Sequence, residues 1–304
     1  MTRVVSRPVE SQAVAEFLNV AVSEPSALML EGEPGIGKTT LWLAGIQQAR
    51  ERGFRVLAAH PNAAESMLAY TSLADMIGGL DVSAFAGLPG PQRLAMDQLL
   101  LRADAGDSAT DQRAVSAGFL SVVTRLTEES PVLLAIDDVQ WLDSSSLRVI
   151  SFAARRLAGP VGVLGTVRTD PDGMSAAARL RLPSPDGLSR VALGPLSQGG
   201  LHAALSERLG QSFPRPTMVR IHEVSGGNPF YALELARALD AQQVSAEASL
   251  PNSLTELVRA RIGGLRGDVQ HVLLAAACVP TPTVELLARA TDNDAEHVVR
   301  LLED

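Results

Sequence analysis

The chain has 304 residues, of which 46% are hydrophobic and 20% charged, with a mean hydropathy of +0.14. That length gives room for two or three domains with buried cores, and that balance is one of folded globular proteins, which excludes a disordered tail. The 34 acidic against 26 basic side chains argue against a surface built to neutralise nucleic-acid phosphates.

The first 195 residues or so alternate short β-rich apolar segments with helical stretches, the pattern of a parallel sheet covered on both faces. Five strands are expected, at 27–31, 55–60, 132–137, 161–167 and 189–193. Continuous runs such as Val132-Leu133-Leu134-Ala135-Ile136 suit strands buried on both faces, because half-exposed strands would alternate. A helix is expected at 40–52, after the first strand. The long connection between the second and third strands holds three helical patterns, near 66–78, 91–103 and 112–127, with a glycine-proline break at 87–91 between the first two. A further helix, N-capped by Asp143 or Ser144, is expected to run through Ala158.

Beyond Pro195 helices take over, at 198–209, 216–224, 229–242, 253–262 and 268–278. The polar stretch 243–251 ends in proline and marks another boundary. The expected division is therefore an α/β domain at 1–195, a helical domain at 196–250 and a third segment at 251–304. The longest apolar run, 272–279, is far shorter than the roughly 18 residues of a membrane span, and the N-terminus lacks a secretory apolar stretch. A cytoplasmic location without membrane contact is expected. Cys278, the only cysteine, rules out an internal disulfide or a thiolate metal cluster and is expected in the core.

Gly32-Glu33-Pro34-Gly35-Ile36-Gly37-Lys38-Thr39 fits G-x-x-x-x-G-K-[ST] at every fixed position, between a strand and a helix. In such a loop glycines let backbone N–H groups turn inward around a β-phosphate, and the start of the helix, with Thr40, adds a partial positive charge. Lys38 would bridge the β- and γ-phosphates, and Thr39 would offer its hydroxyl to Mg²⁺. The chain adds its own control: 25 of its 26 basic side chains are arginine, and the one lysine stands here. A compact ammonium fits a phosphate cradle that a planar guanidinium fork would overfill.

Asp137 and Asp138 end the apolar run of the third strand. Asp137, beside the phosphate loop, would hold Mg²⁺, and Asp138 would orient or deprotonate an attacking water. Trp141 reads as packing. Arg168, at the end of the fourth strand, stands where such sheets bind ligands and can reach a γ-phosphate, with a surface salt bridge as the alternative. Arg155 and Arg156 are either a solvated helix face or residues acting on a neighbouring subunit.

With these residues in place, the chain resembles the STAND branch of the AAA+-like P-loop ATPases, and more closely the ATPase region of large LuxR-type bacterial transcription regulators of the maltose-regulator kind. The likeness rests on the phosphate loop together with Asp137-Asp138-Val139-Gln140-Trp141-Leu142-Asp143, Thr166-Val167-Arg168 and residues 226–235, Gly-Gly-Asn-Pro-Phe-Tyr-Ala-Leu-Glu-Leu. It implies a five-stranded parallel sheet in the order 5-1-4-3-2, then an all-α lid, then a winged-helix domain of which 251–304 would be a part. It also implies that Pro229 packs against adenine; a plain helix break, with Gly226 or Gly227 ending one helix and Pro229 starting the next, accounts for the same residues. The segment Ser6-Arg7-Pro8-Val9-Glu10 carries serine where relatives have glycine, which leaves adenine contact at residues 5–9 open. The resemblance further implies a longer parent chain with sensor and DNA-binding regions. Residues 251–304 carry 5 Arg against 8 Asp and Glu, so this part is expected to pack rather than read DNA.

Three functions follow as expectations. The leading one is an ATP/ADP switch with slow hydrolysis whose nucleotide state controls self-assembly; an AAA+ ring remodeller and a small-molecule phosphotransferase are the alternatives.

Overall fold

In this computed structural model, the residues described are 7–103, 111–169, 188–242, 262–279 and 282–303. Each expected strand is present to within one residue at either end: β1 (Ser26–Gly32), β2 (Arg55–Ala59), β3 (Val132–Ile136), β4 (Val161–Arg168) and β5 (Leu188–Ala192). All neighbours pair in parallel, in the order β2-β3-β4-β1-β5, the expected order read from the other edge. The helices are α1 (Pro8–Ala21), α2 (Lys38–Glu51), α3 (Thr71–Gly78), α4 (Gly90–Leu99), α5 (Gln112–Thr127), α6 (Ser144–Ala154), α7 (Gln198–Leu209), α8 (Arg215–Ser225), α9 (Pro229–Gln242), α10 (Gly267–Ala277), α11 (Val284–Thr291) and α12 (Ala295–Glu303).

The period of two along a strand explains why its apolar runs are unbroken. Ala27, Met29, Val132, Leu134, Ile136, Val161 and Val163 face a core shared with α3, α4, α5 and α6. Their neighbours Leu28, Leu30, Leu133, Ala135 and Leu164 face the opposite core, shared with α1 and α2. On that second face Trp42 is fully buried, with its indole N–H donating to Leu164 O at 3.3 Å.

Helix ends depart from expectation where the backbone turns left-handed. Helix α3 starts at Thr71 rather than near 66, because Tyr70 has φ +64°, and α4 stops at Leu99 rather than 103, with Leu101 at φ +55°. Helix α6 also stops short, at Ala154 rather than Ala158, though its C-cap Arg155 is still right-handed at φ −73°. Helix α1 is an addition to the expected elements; its buried Val14, Phe17, Leu18 and Ala21 lie at helical spacing behind Pro8 in the first turn. The expected helix at 253–262 falls almost wholly outside the described residues.

The chain forms two compact units, one of residues 1–214 with 227–230, the other of 215–226 with 231–304. The first holds the sheet. In the second, Val269 and Val272 of α10, Leu287 and Ala288 of α11, and Val298 and Leu301 of α12 make a small core. Cys278 is exposed, which corrects the expectation of a core cysteine. It stands at the C-cap of α10, roughly 240° around the helix from buried Val272 at 100° per residue. Among the described residues, no helix is long and apolar enough to cross a membrane.

Candidate functional site

The site begins where β1 ends. Two residues of the turn after Gly32, Gly35 (φ +77°) and Gly37 (φ +102°), have left-handed backbone that a side chain would strain. Ile36, between them, is buried and anchors the turn in the core beneath α2, while Glu33, Pro34 and Gly35 are exposed. Gly37 caps α2 without a side-chain hydrogen bond. The N–H groups of the first turn therefore have no capping acceptor, the condition that makes a helix start an anion site. Thr39 is exposed and Thr40 half-buried on that turn.

Lys38 opens the helix. The residue is 7% exposed, and its ammonium folds back to donate to Gly32 O and Glu33 O, each at 2.9 Å. Burial pushes its pKa below the ordinary lysine value; Asp138 pulls it back up, Arg168 adds to the depression, and Asp137 opposes it. Those four groups thus share one electrostatic site.

The strand order explains why. Strand β4 lies between β1 and β3, with Arg168 opposite Gly32 and Gly165 opposite Ile136, so the end of β4 stands between the phosphate loop and the acidic pair. Fully buried Thr166 donates its hydroxyl to Asp137 Oδ1 at 2.6 Å and accepts the Asp138 N–H at 2.7 Å. Asp138 sits at φ +50°, uncommon for a non-glycine residue, and Gln140 Nε2 donates to its Oδ1 at 2.7 Å. Gln140 Oε1 accepts the Arg168 N–H at 3.3 Å, and Arg168 Nε lies 4.0 Å from Asp138 Oδ1. Arg168 is half-exposed, with its guanidinium 5.8 Å from the Trp141 ring centroid.

A metal would find oxygen donors only. Among the described residues no cluster of three or more His, Cys, Asp or Glu could hold an ion without help. The Thr39 hydroxyl and the Asp137 carboxylate suit Mg²⁺, which takes one or two carboxylates together with phosphate oxygens.

Pro229 also reaches the loop: a Cβ on Gly37 would lie 4.0 Å from its Cγ. Gly226 and Gly227 both have positive φ and Pro229 starts α9, so the plain helix break is present too. Arg155 is exposed at the C-cap of α6, and Arg156, exposed just beyond it, lies over the Phe152 ring of α6 at 3.8 Å.

Four further residues hold these loops. Thr166 and Gln140 stood inside quoted motifs, and their role depends on which strand lies beside which. Arg7, 5% exposed, donates to Ile36 O and Gly194 O, each at 2.8 Å, and pairs with Glu10 at 2.8 Å. Asn228 donates to Pro34 O at 3.0 Å. Arg7 lies in the segment 5–9 and Asn228 in the run 226–235, both quoted in the sequence, but their partners Ile36 and Pro34, 29 and 194 residues away, leave no local signal.

Among curated proteins, no sequence relative matches the chain. Among solved structures, the ORC1 protein of Aeropyrum pernix, solved in complex with DNA, is 15% identical over 98% of this chain and 82% of its own, with a TM-score of 0.50. AMPPCP-bound DnaA from Aquifex aeolicus is 14% identical over 98% of this chain and 87% of its own, at 0.44. A STAND protein with a tetratricopeptide repeat sensor from Pyrococcus horikoshii is 15% identical over 95% of this chain and 38% of its own, at 0.42. At such identities the first likeness speaks for the fold alone. The family model described as the AAA ATPase domain matches residues 3–164, a span that holds the phosphate loop, the acidic pair and β1 to β3 entire. The chain belongs to the AAA ATPase domain family.

Proposed function

We propose that this chain is a nucleotide-state switch that binds ATP or ADP with Mg²⁺, hydrolyses ATP slowly and works as the ATPase region of a LuxR-type transcription regulator. The observation that carries the reading is the strand register that sets Lys38, bonded to Gly32 O, opposite Arg168 and sets Arg168 beside Asp138, with Asp137, at the carboxyl ends of β1, β3 and β4.

On this reading the N–H groups of Gly35 and of Gly37 to Thr40 receive the phosphates, and the Lys38 ammonium leaves Gly32 O and Glu33 O to bridge the β- and γ-phosphates. Thr39 and Asp137 would hold Mg²⁺, which would supply neutralisation of phosphate charge. Asp138 takes a proton from water as the water oxygen bonds to the γ-phosphorus; the bond from that phosphorus to the β-phosphate oxygen breaks, releasing ADP and phosphate. Thr166 fixes both carboxylates, one through its hydroxyl hydrogen and the other through the backbone it accepts from. Arg168 reports the γ-phosphate, and Pro229 borders the base.

The regulator assignment rests on the sequence motifs, as do the lid and partial winged helix read into 196–250 and 251–304 and the partnership with further regions of a parent chain. Calorimetric titration with Mg-ADP tests the core of the proposal. Micromolar or tighter binding, lost in Lys38→Ala, is expected; a wild-type chain that takes up no nucleotide overturns it.

A further inference from the structure

In a loop whose N–H groups converge on an anion, the carbonyls face away from it and need donors from the protein side. Each carbonyl of this loop has one. Gly32 O accepts from Lys38 Nζ and from the Thr169 N–H at 3.2 Å, and Glu33 O from Lys38 Nζ and the Ile36 N–H at 3.3 Å. Pro34 O accepts from Asn228 Nδ2 at 3.0 Å, Gly35 O from the Phe230 N–H at 3.3 Å, and Ile36 O from Arg7 Nη2 at 2.8 Å.

Asn228 is 4% exposed and both ends of its amide are engaged, since Oδ1 accepts the Phe230 N–H at 3.1 Å. Only this orientation works, because the flipped amide would set donor against donor and oxygen against oxygen. A peptide unit is planar, so holding the Pro34 carbonyl from outside aims the Gly35 N–H, across the same unit, inward. Proline has no N–H of its own, and its carbonyl stands on the exposed apex of the turn. Gly35 leaves the room this clamp requires: a Cβ there would come within 2.7 Å of Phe230 Cβ and 3.0 Å of Asn228 Oδ1.

We propose that Asn228 is a positioning residue for the phosphate nest: it touches no nucleotide atom and raises affinity by fixing the peptide that carries the Gly35 N–H. This deepens the nucleotide-binding reading above and rests on it. The residue acts on the phosphate half of the ligand alone, so its effect must be blind to the base. The near-isosteric Asn228→Asp keeps the acceptor for Phe230 N–H but turns an oxygen toward Pro34 O, and Asn228→Ala removes both contacts.

Isothermal titration of wild type and both variants with Mg-ADP and with Mg-pyrophosphate tests the idea, with melting temperatures of the ligand-free proteins recorded alongside. Both variants are expected to weaken ADP and pyrophosphate by the same factor, about tenfold, the scale of one lost hydrogen bond. Unchanged ADP affinity in a folded variant, or weaker ADP with unchanged pyrophosphate, overturns the proposal; the second result would make Asn228 a base or ribose contact. Should only Asn228→Ala fold, its ratio of the two losses decides in the same way. A wild type that binds neither ligand instead sinks the nucleotide reading itself.

Discussion

Lys38, assigned above by proposal to the phosphates, is buried at the expense of stability. Its folded pKa is depressed, chiefly by burial, so the unfolded chain holds that proton more tightly. The charged form therefore costs stability at neutral pH, and the cost fades as pH rises through the lowered folded value toward the unfolded one. Lys38→Met should leave the nucleotide-free protein at least as stable as wild type at pH 7, since Thr169 and Ile36 still donate to the two carbonyls. The difference in denaturation midpoint should shrink at alkaline pH, and a gap that widens would contradict the sign. The same variant should bind Mg-ADP about 100-fold or more weakly, for the loss of charge-assisted hydrogen bonds. Asp138→Asn keeps the shape, the Gln140 contact geometry and the backbone bond to Thr166, but it is a far poorer base. It should bind ADP within about threefold of wild type and hydrolyse ATP about 10²- to 10⁴-fold more slowly; equal ATPase rates would remove Asp138 from its role.

At the scale of elements, Asp143 joins two helix starts. Its Oδ1 accepts the Ser146 N–H at 2.8 Å, which caps α6, and the Tyr70 N–H at 2.9 Å, while Oδ2 takes the Ser72 N–H at 3.3 Å. Tyr70 is the left-handed residue that sets where α3 begins. Asp143→Ala removes a cap, worth about 1 kcal/mol, and strips acceptors from buried N–H groups. The expected loss is on the order of 3 kcal/mol in chemical denaturation, with Asp143→Asn losing less because it keeps Oδ1; a loss under about 0.5 kcal/mol for alanine would show that water replaces the carboxylate. The cap itself was legible in the sequence, but the bonds to Tyr70 and Ser72 were not, since they span more than 70 residues of chain.

For the whole molecule, the choice between switch and ring turns on whether turnover needs neighbours. Arg156 is engaged by the ring and carbonyl of Phe152 in α6, which leaves Arg155 as the candidate for action in trans. ATP turnover per chain should stay constant across a hundredfold range of protein concentration, and a steep rise, abolished by Arg155→Ala, would favour the ring. The strands, the phosphate loop and the acidic pair could be read from residue order alone, because each is a local pattern: apolar runs of strand length, glycines and a lone lysine at fixed spacing, carboxylates closing an apolar segment. Folding added what spacing cannot encode. Insertion of β4 between β1 and β3 put Thr166 and Arg168 beside Asp137 and Asp138, and long-range closure brought Arg7 and Asn228 to the outer carbonyls of the loop. Such contacts depend on which segments become neighbours in space, and the energies that decide this are spread over the two faces of the sheet rather than held in any one stretch of chain.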